Sequence, residues 1–423
     1  MCRNAGRSAR LRRTVTTFAP LVNRLAERLR RREVSRLAYF HTDHFEPWRA
    51  LGTAAAIGPE SVQAVHDFCR AAQGVDFARR LTLFYKPYVG YALRRGDELL
   101  RAAPEDLVGF RPRTERQEHF GRQAMWEVAT TTGHDIQLHI HHERFTATTR
   151  HVDPEAIAWF ASPPGRGLDA ARLELAIRLS REAIARETGR ASERWFFVHG
   201  QWALNASDHR SCRITNEIEV LLRNGCAGDF TFPADYAHVN PRLEVPYFCR
   251  PIDEAKGYDR PEAKPEIACG NRLAARSKFF IWASPATARQ CSLDYMFGPV
   301  RRHLGNVEKA ALQLVEMAYV GDRRLYIKTH AHSMNAAYFQ DGIPLFPHLY
   351  PATRNVLGSI FEAADRAGIA VEFPTVPEVY DVLVSAPEKP DIDLAAVYRQ
   401  PREMLRAGLL KLLRPLRRPM HSG

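Results

Sequence analysis

The sequence of 423 residues lacks the signatures of several protein classes. Its seven cysteines stand singly with no C-x-x-C pair, which excludes a zinc ribbon and a thioredoxin-like motif and is typical of reduced thiols in the cytoplasm. No run approaches the roughly 18 apolar residues of a membrane-spanning helix. Asn23, Arg24, Glu27 and Arg28 interrupt the only apolar pattern near the basic N-terminus, so a secretory signal is not expected. These absences predict a cytoplasmic globular protein.

Positive charge is concentrated at the two ends of the chain, although the whole sequence carries a net charge of +12. Residues 1–36 contain eleven arginines against two glutamates, and residues 401–423 contain six lysines and arginines against one glutamate. Residues 37–400 are therefore close to neutral, at −2. Because a nucleic-acid enzyme carries its positive charge on the folded body, we expect no nucleic-acid partner.

Both basic ends have the spacing of amphipathic helices. In the N-terminal tail, residues 1–36, the apolar side chains at helical intervals are Phe18, Leu21, Val22, Leu25 and Leu29. The C-terminal extension, residues 376–423, repeats the pattern with the leucines of residues 405–413. Such a helix could dock its apolar face on the folded body or lie peripherally on an anionic membrane surface. An arginine-rich, acid-poor start is also typical of a transit peptide.

Between the tails, short apolar runs alternate with helical patterns, which predicts parallel strands joined by helices. The strand candidates are Leu37–His41, Leu81–Tyr85, Asp135–His141, Trp195–His199, Ala227–Phe232, Lys278–Trp282, Arg324–Thr329 and Ile369–Phe373. The helix candidates are Pro59–Ala72, Thr114–Thr130, Leu168–Glu187, Asn216–Asn224, Asn306–Val320 and Thr353–Ala367. We predict an α/β fold, a distorted (β/α) barrel of seven or eight parallel strands over residues 37–375. The proline- and charge-rich stretch 233–276 is interpreted as a long insertion.

Eight of the 17 histidines stand where a predicted strand ends, which is where β/α barrels carry their working residues. The first strand runs into His41, Asp43, His44 and Glu46. An aspartate and histidines at this position can supply ligands for a divalent metal ion and a general base. Asp43 and His44 are therefore candidate metal ligands, and Asp43 is also the candidate base. The alternative is an ordinary hydrogen-bonded turn.

The third strand ends in a second histidine group. Alternation of side chains along a strand places His139 and His141 on one face, where both can reach one point in the barrel mouth. They are candidate ligands of the same ion, and His142 directly after them is a ligand, a neighbour of the ligands or a surface residue. The alternative for this segment is packing of buried histidines without a metal.

The fourth strand runs into His199 and Gly200, and a glycine lets the backbone approach a ligand closely. His199, Gln201, Trp202 and Asn205 are the candidate substrate contacts. Trp202 could stack on a sugar ring or belong to the core at the barrel end.

The late strand that ends at Thr329 supplies the candidate general acid. His330 closes this strand and His332 follows on the same side, so an imidazole is placed to donate a proton. Lys328 is interpreted as the electrostatic neighbour of His330. Asp229, at the end of an intervening strand, could orient a histidine or have a structural role only.

Taken in chain order, these segments resemble the motifs of the polysaccharide deacetylase (NodB-homology) superfamily. The resemblance covers residues 37–375 and implies a distorted (β/α) barrel with one divalent metal ion, usually zinc, held by an aspartate after the first strand and two histidines after the third. It also implies hydrolysis of N-acetyl or O-acetyl groups on glycans by an aspartate base and a histidine acid. Asp43 matches the first acidic position, His139 the first motif histidine and His330 the acid.

The chain departs from this pattern at several positions. His44 stands where the family has its second aspartate, and Glu143 stands where it has its second histidine, so His141 or His142 must substitute. His199 lies where the family commonly has an arginine that pairs with the base. These departures indicate a divergent member, and a histidine-rich ligand set favours zinc over oxygen-preferring ions.

We therefore predict a metal-dependent hydrolase with one divalent ion, of which zinc is the expected identity. Its reaction would remove an acyl group, bound as an amide or an ester, from a carbohydrate-like substrate. Two alternatives stay open. One is a catalytically inactive glycan-binding or assembly protein on the same barrel, and the other is a metal-dependent barrel hydrolase of the amidohydrolase or phosphoesterase type.

Overall fold

The computed structural model describes residues 18–47, 59–85, 115–140, 170–192, 194–208, 212–231, 243–258, 266–283, 292–293, 306–334, 339–340, 343–344, 346, 350–387 and 390. Its α-helices within these ranges are α1 (Ala19–Arg30), α2 (Pro59–Gln73), α3 (Glu115–Thr131), α4 (Ala170–Thr188), α5 (Glu217–Arg223), α6 (Val307–Glu316), α7 (Pro351–Arg366) and α8 (Val376–Val384). Its strands are β1 (Arg36–Phe45), β2 (Thr82–Tyr85), β3 (Asp135–Ile140), β4 (Trp195–His199), β5 (Cys226–Asp229), β6 (Tyr247–Cys249), β7 (Glu266–Ile267), β8 (Phe279–Ile281), β9 (Tyr319–Gly321), β10 (Arg324–Ala331), β11 (Phe339–Gln340), β12 (Ile343–Pro344) and β13 (Ala370–Glu372).

The described strands other than the β11–β12 hairpin form one mixed sheet that is mostly parallel. Its order is β7-β6-β8-β5-β4-β3-β2-β1-β10-β9, and β13 pairs with the first half of β1. Strands β6, β7 and β9 are antiparallel to their neighbours, and the rest are parallel. Each of the eight predicted strands coincides with one of these parallel strands. The predicted α/β class is therefore confirmed.

The sheet is strongly curled. The ring of Phe40 on β1 lies 4.9 Å from that of Trp282 and 6.3 Å from that of Phe230, which directly follows β5. In a flat sheet β1 and β5, four strands apart, would be separated by about 19 Å. Lys328 on β10 donates a hydrogen bond across the same interior to the carbonyl oxygen of Phe230 (2.6 Å).

The curl does not become a closed hydrogen-bonded ladder within the described ranges. The ladder runs from β7 at one end to β9 at the other, and a single parallel bridge between Ser292 and His330 links the region after β8 to β10. The sequence predicts a distorted barrel, and within the described ranges the structure has an open, curled sheet around an aromatic interior.

Part of the predicted insertion belongs to this sheet. Within residues 233–276, β6 and β7 extend the sheet antiparallel beyond β8, and Tyr247 and Phe248 on β6 are buried. These two strands have only three and two residues, too few to show an alternating pattern among the prolines around them.

The N-terminal tail is integrated into the fold from residue 18 onward. Helix α1 buries its whole apolar face, and its basic face forms ion pairs with α6 through Arg24–Glu308 and Arg28–Glu316 (3.2 Å). Of the two interpretations of this tail, docking on the folded body is therefore observed for α1. The leucine-rich segment at residues 405–413 lies outside the described residues. Among the described helices, none combines the length and apolar composition needed to cross a bilayer.

Candidate functional site

The strand alternation of β1 sorts its polar residues onto two faces. Phe40 faces the aromatic interior, so His44 lies on the interior face at the carboxyl end of the strand. Tyr39 packs against Phe361 of α7 (5.5 Å between ring centroids), so His41 and Asp43 lie on the face covered by helices. The two residues predicted to share a metal ion, Asp43 and His44, are thus on opposite faces of the strand.

Histidines from three strands meet at the interior mouth of the curled sheet. The ring of His44 lies 4.6 Å from that of His139 on β3 and 4.6 Å from that of His332, which follows β10. His330, the last histidine on β10, shares the interior face with Lys328 and is an electrostatic neighbour of both His44 and His332. We call His44, Glu46, His139, His330 and His332 the mouth cluster. The carboxyl ends of parallel strands meet at one edge of a sheet, which explains why distant sequence segments converge here.

The ring of His139 is fixed by a hydrogen bond to the backbone of β4. Its Nδ1 lies 2.9 Å from the carbonyl oxygen of Val198, and because a carbonyl only accepts, Nδ1 carries the proton of this hydrogen bond. In the neutral ring Nε2 therefore presents its lone pair, and the Glu46 carboxylate lies 3.7 Å from it. A lone pair that faces a carboxylate oxygen is stabilised by a cation between them or by a second proton on the ring.

Burial keeps two of the cluster imidazoles, those of His44 and His330, neutral. It lowers the pKa of His44 well below its ordinary value, and His332, His139 and His330 lower it further. Burial and the neighbouring Lys328 likewise lower the pKa of His330. Neutral imidazole is the form that binds metal ions. A general acid, the role predicted for His330, must carry a proton. Because its ring is neutral near neutral pH, His330 must accept a proton before it can donate one.

Asp43 belongs to a buried hydrogen-bond network on the helix-covered face. Its carboxylate accepts from the backbone amide of Ser333 (3.2 Å) and lies 3.2 Å from Nε2 of His41. Nδ1 of His41 lies 2.8 Å from the hydroxyl of Thr329, which lies 2.7 Å from the hydroxyl of Tyr39. Its hydrogen bonds thus attach Asp43 to the residue directly after His332, and not to the mouth imidazoles. His41, which the sequence places at the end of the first strand without a role at the site, is part of this arrangement, and its two-residue spacing from Asp43 puts both on one face.

A second group of possible metal ligands lies away from the mouth. His199 at the end of β4, Cys212 in the following loop and Glu217 in the first turn of α5 are buried, and one donor atom of each lies within 4.8 Å of the others. His199 was predicted as a substrate contact, and we refer to these three residues as the His199 group. Cys212 and Glu217 were missed because nothing in their spacing, 13 and 18 residues after His199, predicts a shared site.

The His199 group is strongly polarised. Burial alone would lower the pKa of His199, but the Glu217 carboxylate and Cys212 raise it well above its ordinary value. Burial and the Glu217 charge raise the pKa of the Cys212 thiol. Without a metal ion this is a buried imidazolium–carboxylate pair, and with one the same atoms are a ligand set.

Asn205, predicted as a substrate contact, is a structural residue. Its amide nitrogen donates to the carbonyl oxygens of Glu254 (2.7 Å) and Ile252 (3.3 Å), and its Oδ1 accepts from the amide of Ile218 (3.0 Å). The side chain is fully buried, so it joins three segments of the chain and has no face left for a substrate. Sequence alone cannot separate a buried connecting asparagine from a ligand contact.

The remaining predicted site residues fall in several places. Trp202 is half-buried against the core, and the backbone of Gln201 lies in the short 3-10 turn Gly200–Trp202. Asp229 accepts hydrogen bonds from Thr231 and Tyr258 and is an electrostatic neighbour of His199. His141 and His142, predicted as ligands, lie outside the described residues.

No protein-family model, curated protein or solved structure matches this chain. The chemistry of the mouth cluster and of the His199 group is therefore the basis on which a function can be inferred.

Proposed function

We propose that the protein is a metal-dependent hydrolase that removes an acyl group from a carbohydrate-like substrate at the mouth cluster. The observation that carries this proposal is the convergence of His44, His139 and His332 with the Glu46 carboxylate at the carboxyl ends of β1, β3 and β10. The order of its motifs along the chain, which resembles the polysaccharide deacetylases, supports the choice of substrate class. On this proposal the curled sheet is a variant of the barrel of that superfamily.

The kinds of donor at the mouth are those that zinc prefers. His44 and His139 would hold it, together with His332, because neutral imidazoles are ligands that zinc prefers. The proton on Nδ1 of His139, held by the Val198 carbonyl, leaves Nε2 as the donor atom. A bound divalent ion would supply Lewis-acid polarisation of the acyl carbonyl and make a water molecule more acidic.

The residues of this chain have distinct roles in that reaction. The Glu46 side chain is 13% exposed and faces His139, so its carboxylate can accept a proton from water at the mouth. His330 begins the reaction neutral and can return a proton to the leaving group once it has accepted one. Asp43, which stands at the family's base position, acts as a positioning residue, since it holds the amide of Ser333 and thereby the adjacent His332.

Metal analysis combined with a substrate panel tests the proposal. Purified wild-type protein should contain zinc at the mouth and release acetate from acetylated glycan oligomers. A His44→Ala/His139→Ala double variant should lose one ion per chain and its turnover. His66→Ala, at a partly exposed histidine on α2, is the matched control and should retain both. If the double variant contained as much metal as the wild-type protein, the proposal would be refuted.

A further inference from the structure

The His199 group offers a second place for a metal ion, independent of the proposed reaction. Its three side chains come from a strand end, a loop and a helix, and all are buried. His199 lies on the same face of β4 as Phe197, whereas Phe196 on the other face contacts Phe230 of the aromatic interior. The His199 group is therefore on the helix-covered side of the sheet, and the mouth cluster is on the interior side.

The distances within the group are short enough for the three side chains to share one metal ion. Nε2 of His199 lies 3.3 Å from Oε1 of Glu217, and Sγ of Cys212 lies 3.7 Å from Oε2 of the same carboxylate. Zinc bonds to nitrogen and oxygen of 2.0–2.2 Å and to sulfur of about 2.3 Å give tetrahedral edges of about 3.3–3.4 Å and about 3.6 Å. The two measured contacts, one to each oxygen of the Glu217 carboxylate, are close to these edge lengths, and all three residues have a donor atom within 4.8 Å of the others.

Hydrogen bonds to backbone groups also hold the His199 ring and the Glu217 carboxylate in place. Nδ1 of His199 lies between the carbonyl oxygen of Gly200, to which it can donate, and the amide of Ala203 (3.2 Å), from which it can accept. The tautomer that donates to the Gly200 carbonyl is the one that leaves Nε2 free to bind a metal ion. Oε2 of Glu217 accepts a hydrogen bond from the backbone amide of Asn205 (2.7 Å). Outer hydrogen bonds of this kind are typical of metal ligands and fix the orientation of each ring and carboxylate.

The loop that carries these contacts is strained and benefits from a cross-link. Trp202, Asn205 and Ala206 all have positive φ angles, of 56°, 51° and 58°. Left-handed backbone is unfavourable for residues with a Cβ and persists where the surroundings enforce it. A metal ion that joins β4, this loop and α5 would enforce it.

We propose that His199, Cys212 and Glu217 bind a structural zinc ion that fastens the loop after β4 and helix α5 to the sheet. Burial of all three side chains favours a structural role, and three protein ligands leave the fourth position of a tetrahedral zinc ion to a further ligand such as water. When zinc binds, the thiol proton of Cys212 and the Nε2 proton of the His199 imidazolium both leave, so the ligands are a thiolate, a neutral imidazole and a carboxylate, and two protons pass to solvent.

Cobalt substitution separates this site from the mouth cluster, because the mouth cluster contains no cysteine. The full-length protein, stripped of metal and reloaded with Co(II), should show a thiolate-to-Co(II) charge-transfer band. The band should vanish in Cys212→Ser and persist in both Cys69→Ser, a buried cysteine on α2, and the His44→Ala/His139→Ala variant. Absence of the band in wild-type protein, or its persistence in Cys212→Ser, would overturn the proposal and leave a buried ion pair.

A second measurement covers the case in which Cys212→Ser does not fold. Zinc-edge X-ray absorption of wild-type protein should show a sulfur neighbour at about 2.3 Å, which this group alone of the two can supply. A shell of nitrogen and oxygen only would contradict the structural zinc site. It would leave the proposed hydrolase site intact, since loss of turnover in the mouth variants tests that site separately.

Discussion

Which face of β1 a residue occupies determines its chemistry. His44 meets the other imidazoles because it shares the interior face with Phe40, and Asp43 one residue earlier lies on the opposite face with Tyr39 and His41. A carboxylate that holds a backbone amide in place influences catalysis through geometry, whereas one at the mouth exchanges protons. Glu46 and Asp43 should therefore respond differently to the same loss of charge.

Replacement of each carboxylate by its amide distinguishes the two roles. Glu46→Gln should lower kcat by about 10²–10⁴-fold, the usual contribution of a general base, without loss of bound metal. Asp43→Asn should weaken metal binding by about 10–100-fold, because Ser333 and the adjacent His332 are no longer fixed. Steady-state rates and metal titration measure these effects, with Glu316→Gln on the surface of α6 as control. If Asp43→Asn alone abolishes kcat with full metal content, Asp43 is the base.

Asn205 provides a residue-scale test of structure against substrate binding. Loss of its buried hydrogen bonds in Asn205→Gly should reduce the free energy of unfolding by about 2–4 kcal/mol. Asn205→Ala should lose about 1–2 kcal/mol more, because alanine tolerates the left-handed backbone less well than glycine. Urea unfolding measures both. A variant of unchanged stability and raised KM would instead restore Asn205 to the substrate site.

At the scale of elements, the sequence predicts what depends on local pattern. All eight predicted strands are present because each is an apolar run long enough to be recognised. Three of the histidines at strand ends, His44, His139 and His332, converge as parallel pairing requires. Strands β6 and β7 are too short for such a pattern. Cys212 and Glu217 reach His199 only through the path of a loop, which no local rule predicts. The face of Asp43 follows from alternation, provided that β1 is known to continue to Phe45.

Helix α1 is expected to stabilise the folded body rather than to act as a membrane anchor. Leu25 is completely buried against α6 and α7, so Leu25→Ala should cost about 2–5 kcal/mol of unfolding free energy. Leu273→Ala is the control, since Leu273 is 76% exposed and its truncation should change stability by less than about 0.5 kcal/mol. The membrane role would be favoured by two results together. Leu25→Ala would be as stable as wild type in chemical denaturation, and it would no longer co-sediment with anionic vesicles that bind the wild-type protein.

At the scale of the whole molecule, several histidines are held neutral by burial and make the fold sensitive to acid. His134 lies outside both sites, where its Nδ1 accepts from the amide of Leu81 (3.1 Å) beside the ring of Phe68. Burial, with help from His41 and Arg190, lowers its pKa from 6.5 to about 3. Below pH 6.5 His134 binds a proton in the unfolded chain but stays neutral in the folded protein, so the fold loses stability as pH falls towards 3.

This sensitivity can be measured through its slope. The free energy of unfolding of wild-type protein should fall below pH 6.5, with about 1.4 kcal/mol per pH unit contributed by His134 alone. His134→Asn retains an acceptor for the Leu81 amide but does not titrate. Between pH 7 and pH 5 its free energy of unfolding should therefore fall by about 2 kcal/mol less than that of the wild-type protein. Urea unfolding between pH 5 and 7.5, with His66→Asn as the surface control, measures the difference. Parallel pH profiles for wild type and His134→Asn would show that the acid sensitivity arises elsewhere. The mouth cluster histidines His44 and His330 are then the next candidates, because burial lowers their pKa values as well.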